Sequence, residues 1–392
     1  MDRRQFLKTG IIGASALPVL MQSCGKPRSE YTAGSAQRFD FLEVSGSYKN
    51  IGFQIGKTFG RNIREIIRRR KEWHSGLMAA LESKKGKLFS DKLLELSRKH
   101  FPHIVDEITA MADGAGLSFN ALWCMSIKSE LGTLDKDDLG CSSIFYKDEN
   151  SMRLFHNEDG STDYDGLMFV VQVTPPSGVS FVSLVYPGII TGNGPSLNDS
   201  GVVQTTNYIG STKSEIGIPR YIIGRAILEA KTVEEAVQIV SVTPRAYPYH
   251  HHIGSMSDKK YYSVETIPGI SQSEQPQDLY FHTNHLIFEK TCKYEHEDEK
   301  YKQSSSLSRF EVIQEKINSM PHAGIEAEHF LEILSSHQNA PYSPCRHPQD
   351  DIKGLTLGTA LFDFEKGIFR LYKGNPCTAV KDGLYQEFKL HA

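Results

Sequence analysis

One position divides this chain into two textures. Before Cys141, apolar residues recur at helical spacing; after it, short strand-forming runs alternate with turn clusters. Ile55 to Trp73 reads as a helix interrupted early by glycines. Asp91 to Ala112 reads as a second, because Leu93, Leu94, Leu96, Phe101, Ile104, Ile108 and Met111 fit a 3.6-residue period. Ser118 caps the start of a third. Beyond the divide, Cys141–Tyr146, Arg153–His156, Met168–Thr174, Phe181–Tyr186 and Val202–Asn207 read as strands. Helices follow at Pro219–Glu229 and Val233–Ser241. Strands return at Tyr249–Ser255, Lys260–Glu265 and Leu279–His282, then helices near Leu307–Ile317 and Ile325–Leu334, and a last hairpin pairs Thr356–Asp363 with Ile368–Tyr372. Strands, helices and strands in blocks predict a layered α+β domain and exclude a βαβ repeat.

The first residues point to export. Arg3-Arg4-Gln5-Phe6-Leu7-Lys8 is a basic region with a twin arginine, and the apolar stretch from Ile11 to Met21 is too short for a spanning helix, which needs about 20 residues. Leu20-Met21-Gln22-Ser23-Cys24 resembles a bacterial lipobox, so Cys24 is the expected lipidated first residue. The domain reading is residues 1–23 as export signal, 24–36 as tether, 37–140 as a helical N-terminal portion and 141–392 as the catalytic portion. The expected location is the bacterial cell envelope, with membrane contact only through the lipid. The net charge of −3 over 392 residues excludes the basic footprint of a nucleic-acid binder. Arg68-Arg69-Arg70-Lys71 reads as a solvated helix face.

The six cysteines, Cys24, Cys124, Cys141, Cys292, Cys345 and Cys377, contain no CxxC pair, which argues against zinc. In His250-His251-His252, the outer two share a strand face, but no carboxylate or cysteine lies near in sequence to complete a metal site. No metal or cofactor is expected; His250 and His252 are expected to line the cleft or pack at a strand edge.

Gly140-Cys141 at the start of a strand is chemically poised. Glycine leaves its carbonyl open to attack and tolerates a strained backbone. Attack by the Cys141 thiol on that carbonyl gives a thioester, and hydrolysis leaves a chain that begins with Cys141. Its α-amine, with a pKa near about 7.7–8.0 in a peptide, then serves as base for its own thiol.

Other segments support this reading jointly. Gly46-Ser47-Tyr48-Lys49-Asn50-Ile51-Gly52-Phe53-Gln54-Ile55-Gly56, the helix Phe101–Ala115, Gly140-Cys141-Ser142-Ser143, Asn157-Glu158-Asp159, Asn198–Asn207, His282-Thr283-Asn284-His285 and Ser343-Pro344-Cys345-Arg346 fall in order along nearly the whole mature chain. Together they resemble the acyl-coenzyme A:6-aminopenicillanic acid acyltransferase-like family of autoproteolytic N-terminal-nucleophile hydrolases. The resemblance implies an αββα sandwich, two antiparallel sheets between helix layers, cut into two chains that stay associated. It implies Cys141 as nucleophile, Asn284 as oxyanion donor, Asp159 as orienter of the α-amine, and Arg346 as orienter of Asp159 or of a substrate group. Asn157, Glu158 and Asn207 are the implied substrate contacts. Glu158 stands where the family carries Trp, which makes the pocket wall more polar here.

The reaction that follows is cleavage of an amide bond in a small N-acyl molecule through an acyl-enzyme. An acyltransferase would pass the same acyl group to an amine, and an inactive ligand-binding lipoprotein would stay a single chain. Export favours hydrolysis.

Overall fold

In the computed structural model the described residues are 7–10, 38–132, 140–210, 214–295, 300–321 and 324–390. Arg3, Arg4, Cys24 and the tether 24–36 lie outside them. Within the stretch read as signal, β1 (Leu7–Gly10) pairs with the last strand. β2 (Asp40–Ser45) precedes five helices: α1 (Tyr48–Arg69), α2 (Lys71–Glu82), α3 (Lys84–His100), α4 (Pro102–Ala115) and α5 (Phe119–Ser126). The strands β3 (Cys141–Lys147), β4 (Met152–Ser161), β5 (Phe169–Thr174), β6 (Phe181–Val185), β7 (Ser196–Asn198) and β8 (Val202–Asn207) follow. Then come α6 (Arg220–Ile227), α7 (Val233–Val240), β9 (Tyr249–Ser255), β10 (Lys260–Ile267), β11 (Ile270–Glu274) and β12 (Leu279–His282). The chain ends with α8 (Lys300–Asn318), α9 (Ala327–Leu334), β13 (Gly354–Asp363), β14 (Ile368–Lys373), α10 (Pro376–Ala379) and β15 (Tyr385–Leu390).

The helix expected over 91–112 is two helices. Pro102 cannot continue α3, because it lacks the N–H and clashes with the preceding turn, so it occupies the first turn of α4 instead. The glycines that seemed to interrupt α1 serve a contact. A Cβ on Gly52 would sit 2.1 Å from the Glu107 carbonyl oxygen, and one on Gly56 2.0 Å from that of Met111. The bare backbone of α1 therefore lies directly against α4, where any side chain would hold the helices apart.

Two sheets form, in orders β1-β15-β14-β13-β4-β3-β12 and β11-β10-β9-β8-β7-β6-β5-β2, with β2–β5 the parallel pair. They face one another: Phe145 of β3 stacks on Tyr261 of β10 with ring centroids 3.9 Å apart. The outer face of the first sheet packs on α8 and α9, through Ile144, Phe155 and Leu361 against Ile313, Phe330 and Leu334. The outer face of the second takes α1 and α7, with Phe59 stacked on Phe169 at 3.7 Å. This is the αββα arrangement. It explains why every residue of β4 is buried: both faces are covered, so the strand cannot alternate apolar and polar residues. Among the described residues, no helix is long and apolar enough to cross a membrane.

Candidate active site

Cys141 is the first residue of β3, and its backbone is held on both sides. Its N–H donates to Asn284 Oδ1 at 2.9 Å, and its carbonyl accepts from Asn207 Nδ2 at 2.9 Å and from Arg309 Nη1 at 2.7 Å. Arg309 also donates to Ser142 Oγ at 2.9 Å and to Asn284 Oδ1 at 2.7 Å. Gly140 is in the left-handed region at φ +72°, and a Cβ there would lie 2.1 Å from Asn284 Oδ1. Backbone angle and space both require glycine at the bond expected to break.

The antiparallel register decides which side chains meet. Cys141 stands opposite Glu158, Ser142 opposite Asn157, and Ser143 opposite His156. Cys141, Ser143, His156 and Glu158 therefore point between the sheets. Cys141 Sγ lies 3.5 Å from Glu158 Oε1, which also accepts from Tyr186 Oη at 2.7 Å. His156 bridges Glu158 Oε2 at 3.2 Å and Ser143 Oγ at 2.8 Å. Burial, with Glu158 and Asp159 adding to it, pushes the Cys141 thiol well above its usual range, while a backbone hydrogen bond from Asp159 and the charge of Arg309 pull it down. At neutral pH the sulfur rests as a thiol beside a carboxylate, an arrangement suited to proton transfer on attack.

Ser142, Asn157 and Asp159 point the other way, toward the α8–α9 layer. Asp159 Oδ1 accepts from Thr356 Oγ1 at 2.7 Å, and Thr356 Oγ1 in turn accepts the Arg346 backbone N–H at 2.9 Å. Burial pushes the Asp159 carboxyl up to about 7 against the opposing charges of Arg309 and Arg346. Arg346 thus reaches Asp159 by its backbone N–H through Thr356 as well as by charge.

Several expected roles change. Asn284 was expected to donate to an oxyanion, yet its Nδ2 donates to the Tyr208 carbonyl at 2.9 Å, while its Oδ1 receives both Cys141 N–H and Arg309. Two donors converge on that oxygen, so the amide faces the Cys141 nitrogen with its acceptor end. Asn157 is a clamp and not a substrate contact: it donates to the Leu334 and Pro344 carbonyls, both at 2.9 Å, and accepts from Thr359 at 2.7 Å. Asn207 grips Cys141 itself. His252 supports Asn207 Oδ1 at 2.8 Å, and His250 stacks on His282 with centroids 3.6 Å apart. Both histidines sit within the sandwich behind Asn207, where burial holds their pKa values low, and neither reaches the cleft.

Arg309 is the residue that sequence reading missed. It lies on α8 in one buried stripe with Ser305, Ser306, Val312 and Ile313. A cation within a helix's apolar stripe was the available signal, since an isolated buried charge is too costly to persist without acceptors.

Beside Cys141 lies a cavity of about 50 Å³, lined by Gly140, Glu158, Asp159, Tyr186, Tyr208 and Arg220 among others. Arg220 is buried under the rings of Tyr208, Tyr221 and Tyr249 at 5.0, 4.7 and 4.5 Å. Its Nε and Nη1 have no hydrogen-bond partner among the described residues.

A sequence model of the acyl-coenzyme A:6-aminopenicillanic acid acyl-transferase family matches residues 146–378, beginning five residues after Cys141. The beta-alanyl-dopamine/carcinine hydrolase of Drosophila melanogaster is 24% identical over 375 residues, covering 87% of this chain and 94% of that protein. The chain is accordingly an enzyme of the amide hydrolase and acyltransferase type. With its helical N-terminal portion, its two sheets between helix layers and a match across more than half its length, it belongs to the acyl-coenzyme A:6-aminopenicillanic acid acyl-transferase family.

Proposed function

We propose that this enzyme is a self-cleaving cysteine hydrolase in which Cys141 cuts the Gly140–Cys141 bond and then hydrolyses a small N-acyl amide. The observation that carries the reading is the seating of Cys141: a buried thiol 3.5 Å from Glu158, an N–H held by Asn284, and a left-handed glycine immediately before it. In self-cleavage, Cys141 Sγ attacks the Gly140 carbonyl carbon and its proton passes to Glu158. The Gly140–Cys141 C–N bond breaks, the departing nitrogen takes a proton, and a thioester joins Gly140 to Sγ. Water hydrolyses that thioester to the Gly140 carboxylate and a free thiol.

In turnover the new α-amine, retained at Asn284 Oδ1, takes the thiol proton as Sγ attacks the substrate carbonyl. The substrate's amine leaves protonated, and water releases the acid from Sγ. Asp159 orients the ammonium form. Gly140 lines the cavity, so release of its peptide bond opens the wall beside Cys141. Opening is needed, because 50 Å³ is far below the roughly 300 Å³ of a typical small-molecule pocket.

The buried guanidinium of Arg220 suits a substrate with a carboxylate, such as an N-acyl amino acid. The fly relative's name gives beta-alanyl-dopamine and carcinine as its substrates. The test is a panel of both classes, with released acid and amine read by mass spectrometry. Hydrolysis by material containing a chain that starts at Cys141 is expected. Fully cut protein that hydrolyses no N-acyl amide would sink the reading. An added amine acceptor that captures most of the acyl group would make the enzyme an acyltransferase.

Export and lipid anchoring belong to the same proposal, supported by Arg3-Arg4 and by Ser23-Cys24. Loss of the leader takes β1 with it and leaves β15 at the sheet edge. Cys24→Ser is expected to move the protein from the membrane pellet to the soluble fraction, since the acyl chains contribute about 0.8 kcal/mol per buried CH₂. A variant that still sediments with membranes would remove the lipobox.

A further inference from the structure

Four soft side chains, far apart in sequence, meet on the side of the fold that carries Arg346. His337 lies just beyond α9, Cys345 and His347 flank Arg346, and Cys377 is in α10. One ligand atom from each lies within 4.8 Å of all the others. We propose that His337, Cys345, His347 and Cys377 form a closed Cys₂His₂ zinc site that clamps the Arg346 segment to α10.

The distances carry this furthest. His337 Nε2 and His347 Nε2 are 3.2 Å apart, Cys345 Sγ and His347 Nε2 3.7 Å, and Cys377 Sγ and His347 Nε2 3.5 Å. A tetrahedral ion with bonds of about 2.0–2.1 Å to nitrogen and 2.3 Å to sulfur sets its ligands apart by about 3.3 Å for N···N and 3.6 Å for N···S. The three separations to His347 already match, and every other pair lies within 4.8 Å. Two sulfurs and two imidazoles select zinc over calcium or magnesium, which take oxygen ligands. Neither cysteine is in a disulfide. Asn375 Nδ2 lies 3.6 Å from Cys345 Sγ and donates to the Arg346 carbonyl at 2.6 Å, the kind of outer contact that steadies a thiolate ligand. Cys345 is buried while His337 and His347 are exposed, which gives the ion a way in.

Binding replaces two S–H bonds by two Zn–S bonds and releases two protons, with no change of oxidation state. Four protein ligands leave no open position, so the ion holds structure and takes no part in the reaction. What it holds is Arg346, and through Thr356 the carboxylate of Asp159. The spacing hid this, because three ligands come from the α9–β13 connection and the fourth from α10, with no CxxC pair.

The full-length protein, purified without chelator, is expected to carry about one zinc per chain by elemental mass spectrometry. After chelation, added Co²⁺ is expected to give thiolate charge-transfer and tetrahedral ligand-field absorption. Cys377→Ser and His347→Ala, at ligands that are not fully buried, are expected to weaken zinc binding by about tenfold or more while the protein stays folded by circular dichroism. The proposal is overturned if chelated wild-type protein gives no thiolate absorption with Co²⁺, or if peptide mapping finds a Cys345–Cys377 disulfide. None of these readouts depends on hydrolysis.

Discussion

Cys141→Ala is expected to remain a single uncut chain and to lose amide hydrolysis by about 10⁴-fold or more, the scale seen when a covalent nucleophile is deleted. Wild-type protein is expected to yield a larger chain of 392 − 140 = 252 residues, beginning at Cys141. Loss of one atom is expected to remove both events, because in the proposed mechanism the same sulfur attacks Gly140 first and the substrate afterwards. The substitution deletes only a sulfur from a buried site, and the three hydrogen bonds on the Cys141 backbone do not involve it. The melting temperature should therefore stay within a few degrees of wild type, which separates lost chemistry from lost folding. Gly140→Ala should also stay uncut for a different reason: its Cβ would overlap Asn284 Oδ1 and its φ would be strained. Intact-mass analysis with N-terminal sequencing reads both variants. Cut Cys141→Ala protein would place the nucleophile elsewhere.

Arg309→Met is expected to be the most damaging change apart from those at Cys141. The guanidinium serves the Cys141 carbonyl, Ser142 Oγ and Asn284 Oδ1, and is one of two cations that oppose the burial cost of Asp159. Removing one charge from such a buried cluster costs about 3–5 kcal/mol of stability. The pH dependence makes the prediction specific. Asp159 titrates at about 7 in the folded protein and near 3.9 when unfolded, so the fold favours its protonated form. Its contribution to stability is full below about pH 4 and is lost as pH rises toward 7. In Arg309→Met the folded value rises further, and the decline should continue above pH 7. Asp159→Asn should lack this component altogether. In the proposed cut enzyme, ionised Asp159 orients the α-amine, so kcat/KM should rise around pH 7 in wild type and flatten in Asp159→Asn. Chemical denaturation from pH 4 to 9 and a pH–rate profile check both. Superimposable wild-type and Asp159→Asn stability curves would show that this carboxyl does not titrate as argued.

His250 and His252 show how far a local pattern reaches. Their alternation placed them on one face of a strand, and β9 keeps it. The choice between cleft and strand edge depended on what surrounds them: His282 and Asn207 cover that face, and β9 lies between β8 and β10, so they do neither. Glu158 shows the converse. As a replacement for an aromatic residue it signalled only a more polar pocket wall, but pairing β3 with β4 in register sets it directly opposite Cys141, with its carboxylate beside the thiol.

The sequence by itself determined what local chemistry can specify. The change from helical to strand periodicity marks Cys141, the Gly140-Cys141 bond carries its own steric and nucleophilic logic, and blocks of strands and helices fix the layered class. Tertiary structure alone decided the partners across elements. Arg309 arrives from α8, 168 positions beyond Cys141, and Asn284 presents its oxygen and not its nitrogen because Tyr208 and Arg309 approach from opposite sides. Asn157 became a clamp because β4 is covered on both faces. The physical reason is the same in each case: periodicity fixes the direction in which a side chain leaves its own backbone, whereas a hydrogen bond or ion pair also needs an acceptor or donor that only chain folding brings within about 3 Å.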